Sequence, residues 1–120
     1  MNTAKTTNGY VYVFSNKWFT GLYKIGCTKN VSNRRSTLGK TSVPDDFDVV
    51  FILEVENYKN AEKIIHKMLE LFRYDPQREF FRAAKSDIKK VLITVAKSMN
   101  GVVYQGTKRN QVYPSIKKNI

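Results

Sequence analysis

The chain has 120 residues and a net charge of +11, from 21 Lys and Arg against 10 Asp and Glu, which suits one basic domain and leaves no room for two full ones. Its 42% hydrophobic content, with 7 Phe, 7 Tyr and 1 Trp, supplies a real core and excludes a globally disordered tail. One Cys and one His exclude an internal disulfide framework and the usual Cys/His zinc finger, whose metal takes four such ligands.

Gly9-Tyr10-Val11-Tyr12-Val13-Phe14 is rich in β-branched and aromatic residues and predicts a first strand. Ser15 to Gly21 reads as a hairpin loop, with Trp18 and Phe19 covering a neighbour, and Leu22 to Cys27 as the second strand. So short a connection favours antiparallel pairing. Asn30 or Ser32 begins a short helix carrying Arg34, Arg35 and Leu38, stopped by Gly39. The turn Pro44-Asp45-Asp46 leads into an apolar strand from Phe47 to Val55.

Asn57 or Asn60 opens a second helix whose stripe is Ala61, Ile64, Ile65, Met68, Leu71 and Phe72. Glu62 and His66, four apart, share the edge of its opposite face. Pro76 ends it, and Arg78 to Arg82 forms an extended link. A third helix follows on Ala84, Ile88, Val91, Leu92, Val95 and Met99, closed by Asn100-Gly101, with Val102 to Tyr104 as a small edge strand. The expected fold class is α+β, a three-stranded antiparallel sheet flanked by helices in the order β-β-α-β-α-α. A flexible segment is expected over 1–8, a single domain over 9–104 and a basic, flexible tail over 105–120.

Charge is uneven along the chain. The seven basic residues up to Val43 face no acid, the span Pro44 to Ala84 is slightly acidic, and the remainder is again basic. Such a distribution suits a polyanion, because cations that neutralise phosphates release condensed counterions. No stretch approaches the roughly 18–20 apolar residues that cross a bilayer. The polar run after Met1 lacks the apolar centre of a signal peptide. The expectation is therefore a soluble intracellular protein that binds nucleic acid and no membrane.

Tyr12, Lys24, Arg34 and Glu62 are the polar residues placed most suggestively on this frame. Phosphodiester hydrolysis needs a positioned nucleophile, a cation for the phosphorane and commonly a carboxylate for a divalent metal. Such residues also occur in any basic protein, as sheet packing, solvated lysines or helix-terminal acids. Cys27 reads as a small buried residue.

Val11-Tyr12, Lys24-Ile25-Gly26-Cys27-Thr28, Arg34, Ala61-Glu62 and Arg78-Glu79-Phe80-Phe81 together resemble the GIY-YIG nuclease superfamily over residues 9 to 95. The resemblance is to its short phage, viral and bacterial branch, whose second signature reads Tyr-Lys-Ile-Gly. It implies a DNA endonuclease using one Mg²⁺ or Mn²⁺, with duplex DNA as partner and the host cytoplasm or nucleus as location. In that reading Glu62 holds the metal, Tyr12 lies near the attacking water, Arg34 steadies the phosphate and Gly26 lets the chain bend closely. Lys24 replaces the family's second tyrosine, with Tyr23 one place earlier and turned to the other face. Leu38 stands where the family often has His or Tyr, and His66 is the substitute base. Glu79 falls near the family's late asparagine. Lys17, Lys29, Arg35, Lys40, Arg78 and Arg82 are the nucleic-acid contacts. The alternative is a non-catalytic DNA-binding protein on the same fold, and a third reading is an RNA-directed one.

Overall fold

The computed structural model describes residues 8–29, 47–74 and 79–106. Three strands come first: β1 (Gly9–Asn16), β2 (Leu22–Thr28) and β3 (Phe47–Val55). Helix α1 (Tyr58–Met68), a single 3-10 turn (Glu70–Phe72), β4 (Phe80–Arg82), α2 (Lys85–Met99) and β5 (Val102–Gln105) follow. Among the described residues all strands join one antiparallel sheet in the order β4-β2-β1-β3-β5.

The sheet therefore has five strands, which corrects the three-stranded β-β-α-β-α-α expectation. β4 and β5 are three and four residues long. β5 falls where a small edge strand is expected and β4 within the expected extended link, but alternation cannot declare membership of the sheet over so few positions. They become strands because the outer edges of β2 and β3 present backbone donors and acceptors that need partners. The helix expected between Asn30 and Gly39 lies outside the described residues.

Side chains alternate between the two faces of the sheet. Val11, Val13, Ile25, Phe51 and Leu53 point to the face that receives Ala61 and Ile65 of α1 and Ile88, Leu92 and Val95 of α2. Tyr12, Phe14, Val49, Ile52 and Tyr104 form a second buried cluster on the other face. β1 is thus buried on both faces, which accounts for its nearly unbroken apolar run. Each fully buried aliphatic or aromatic side chain contributes about 1.5–3 kcal/mol from removal of its surface from water.

The apolar stripe of α1 is narrower than expected and shifted. Ala61, Ile65 and Leu69 are buried at i, i+4 and i+8, whereas Met68, Leu71 and Phe72 are exposed, Leu71 by 95%. The chain tightens after Met68, with the Phe72 amide donating to the Leu69 carbonyl at 2.8 Å and the Arg73 amide to that of Glu70 at 3.1 Å. This tightening takes Leu71 and Phe72 off the helical phase. Helix α2 ends as expected, with Asn100 in the left-handed region at φ 60°. The Gly101 amide returns to the Ala96 carbonyl at 2.8 Å.

The β1–β2 turn is tied at its base by Asn16, whose side-chain oxygen accepts the Trp18 amide at 2.8 Å. Its carbonyl accepts the Phe19 amide at 3.1 Å, and Gly21 closes the turn at φ 85°, where a side chain would be strained. Trp18 and Phe19, expected to cover a neighbour, stand 66% and 52% exposed. Among the described residues no helix is long and apolar enough to cross a membrane.

Candidate functional site

Tyr12 and Gly26 are direct partners in the β1–β2 ladder. Because Gly26 lacks a side chain, the Tyr12 ring lies across β2: a Cβ at position 26 would collide with the Tyr12 hydroxyl and stand 2.6 Å from Cζ. The same point is 2.8 Å from Glu79 Oε1. Tyr12 is fully buried and stacks on Phe14 with ring centroids 4.2 Å apart. Lys24, two residues before Gly26 and on its face, reaches Glu79 Oε1 at 3.2 Å, and its Nζ lies 5.3 Å from the Phe80 ring centre.

Glu62 and His66 approach β2 from α1, on the opposite face of the sheet. His66 Nε2–H donates to the Ile25 carbonyl at 2.8 Å, the tautomer following from that bond. The same nitrogen is 3.8 Å from Glu62 Oε2, and the Cys27 thiol donates to Glu62 Oε1 at 3.5 Å. Glu79 lies beside Glu62 as well, within hydrogen-bonding reach of its carboxyl.

The two faces meet here because β4 is short. Its last pair with β2 is Phe80 with Lys24. Beyond it, the Ile25 amide donates to the Glu79 carbonyl at 2.9 Å and the Ile25 carbonyl takes His66. Groups from both sides reach around this open edge, with Glu79 between Lys24 on one face and Glu62 on the other.

Electrostatically the cluster is crowded with carboxylates. Burial, and then the neighbouring Glu79, push the Glu62 carboxyl above its usual range, against the lowering effect of His66 and the Cys27 hydrogen bond. Burial, and then Glu62, push the Cys27 thiol up to about 12. Such a set can take up or hold a proton, and its oxygen donors suit a hard cation.

Of the residues singled out in the sequence, Tyr12, Lys24, Gly26, Glu62, His66 and Glu79 come together. Tyr23 lies on the helix-bearing face against the main core. Lys17, Lys29 and Arg82 are exposed; Lys17 stands 5.6 Å over the Trp18 ring and the Arg82 guanidinium 5.3 Å over that of Tyr74. Arg34, Arg35, Lys40 and Arg78 lie outside the described residues. Cys27 packs partly buried against the main core, and it also meets Glu62, a partner that nothing in its flanking sequence signalled.

Comparison with known proteins corrects the family suggested by the sequence motifs. The T5orf172 domain matches residues 9–96, and no GIY-YIG family does. The chain is 31% identical over 87 residues to "Uncharacterized protein 460R" of Invertebrate iridescent virus 6, covering 70% of the chain and 39% of that protein. It is 34% identical over 94 residues to "Putative KilA-N domain-containing protein 315L" of the same virus, covering 75% and 40%. The chain thus spans about two fifths of the length of these relatives. No solved structure matches it significantly. Roles that rested on the GIY-YIG resemblance lose that support, and with the match running across the central strands, α1 and most of α2, the chain belongs to the T5orf172 domain family.

Proposed function

We propose that this chain is a DNA-binding domain. The observation that carries the reading is the net charge of +11, concentrated outside the middle third of the sequence. Exposed Lys17, Lys29 and Arg82 place part of that charge around β2. Membership of the T5orf172 family and the likeness to a protein named for a KilA-N domain support it. The test is affinity for a short duplex as salt is varied. Log K should fall linearly with log salt, with a slope near −0.9 for each phosphate neutralised. Failure to bind duplex DNA or single strands even at about 50 mM salt overturns the reading.

A second reading, phosphodiester cleavage, is favoured by the meeting of Tyr12, Lys24, Glu62 and Glu79 at the open edge of β2. Among the described residues no three His, Cys, Asp or Glu stand together as a metal-binding group. Mg²⁺ or Mn²⁺ would therefore rest on Glu62, with Glu79 beside it and water completing the shell, a manner of binding that suits Mg²⁺. When bound, the ion supplies charge stabilisation and a more acidic water. Lys24 is placed to offset negative charge on a phosphate, and Gly26 holds the Tyr12 hydroxyl close to Glu79. His66 Nε2 is engaged by the Ile25 carbonyl and orients the α1 side of the cluster. Nicking of supercoiled plasmid by the wild type, lost in Glu62→Ala prepared identically, is the expected result. Equal nicking by both, or none by either while DNA is bound, removes this second reading.

A further inference from the structure

Among the described residues four cations lie over aromatic rings, and two of those pairs stand at the β1–β2 turn end of the sheet with their rings in solvent. Lys17 lies over Trp18, which is 66% exposed, and Arg82 over Tyr74, which is 59% exposed. The second pair borders the turn that carries the first. Arg82 is the β4 partner of Leu22, and its guanidinium passes 3.5 Å from the point where a Gly21 side chain would begin. Tyr74 is held at the sheet margin by its amide, which donates to the Phe80 carbonyl at 2.9 Å.

Trp18 is equally well placed. Asn16 fixes the turn through both its side chain and its carbonyl, so the exposed indole is carried on a tied loop. Asp48 lies opposite Ser15 in the β1–β3 ladder.

We infer that this end of the sheet grips an unpaired stretch of DNA, stacking bases on Trp18 and Tyr74 while Lys17 and Arg82 face the phosphates. A cation against one side of a ring holds the ring and adds charge, and the exposed remainder offers a π surface to a base. Bases inside a duplex are already stacked and offer no such face, so the chemistry selects single strands, ends or opened segments. The net charge of +11 favours a polyanion over an apolar protein surface as the occupant. This inference rests on the DNA-binding reading and specifies the form of DNA.

Trp18 is the chain's one tryptophan, so its fluorescence reports this surface alone. Titration with an oligothymidylate of about 12 nucleotides, within the span that such surfaces cover, should quench it, and a blunt duplex of equal length should quench it less. By anisotropy of labelled oligonucleotides, Trp18→Ala and Tyr74→Ala should each weaken single-strand binding roughly 5- to 100-fold. Duplex binding should hardly change, and Trp18→Phe should keep most of the affinity. Both positions are exposed and lie outside the core, and circular dichroism of each variant confirms folding. Unchanged single-strand affinity in both alanine variants overturns the inference and leaves duplex binding standing. Absence of binding to any DNA overturns both. Quenching by phosphatidylserine vesicles without quenching by oligothymidylate assigns the surface to membranes and overturns it too.

Discussion

The hydroxyl end of Tyr12 occupies the space that a side chain at Gly26 would need. The ring cannot retreat, because it is fully buried and stacked on Phe14. Gly26→Ala should therefore destabilise the fold by about 1–3 kcal/mol, the usual cost of forcing an extra carbon into a packed place. Tyr12→Phe removes the nearest obstructing atom, so the double variant should be more stable than the two single losses predict. Urea unfolding of the four proteins measures this coupling, and strict additivity would show that the two residues do not crowd each other.

Glu62 should make the protein more stable at low pH than at high pH. Its folded pKa is raised, by burial first and Glu79 next. Its contribution is complete below the unfolded carboxyl value of about 4.3 and is lost as pH rises through the higher folded value. Glu62→Gln keeps an acceptor for the Cys27 thiol and removes the charge. Thermal unfolding at pH 4 to 8 should show the variant gaining on the wild type as pH rises. A constant difference across that range would refute the assignment.

Cys27 should be a sluggish nucleophile. With its thiol pushed up to about 12 by burial and then by Glu62, little thiolate exists at pH 8. Reaction with a disulfide reagent should run roughly a hundredfold or more below that of the urea-unfolded chain. Glu62→Gln should accelerate it by removing the adjacent charge. Equal rates in the folded and unfolded wild type would contradict the geometry.

The sequence revealed the elements that carry a long enough pattern. The starts of β1 and β2, the whole of β3 and nearly all of α2 are where alternation and 3.6-residue spacing put them. It misjudged the end of α1, because Met68, Leu71 and Phe72 continue an apolar rhythm that the backbone abandons at Leu69. It showed β5 as a small edge strand and β4 only as an extended link, and counted neither in the sheet, because their places there come from partners distant in sequence. In the candidate site, Tyr12 with Gly26 was legible from motif order. Glu79 was legible as a polar residue near the right place, but its link between Lys24 and Glu62 depends on where β4 stops, which no local pattern records. Trp18 and Phe19 were read as packed because aromatic residues usually are. The tight turn at Gly21 and the ties from Asn16 instead hold them outward.

The order of strands also bears on how the chain is made. β1 emerges first and becomes the middle of the sheet, flanked by β2 and β3, while the two short closing strands come from residues 80–82 and 102–105. Until those residues leave the ribosome, both outer margins of the central trio carry unmatched amides and carbonyls, the template on which chains join one another. A product terminated early, between Val55 and Phe80, keeps the most apolar strands and lacks both guards. Premature termination in that interval thus creates a self-associating species.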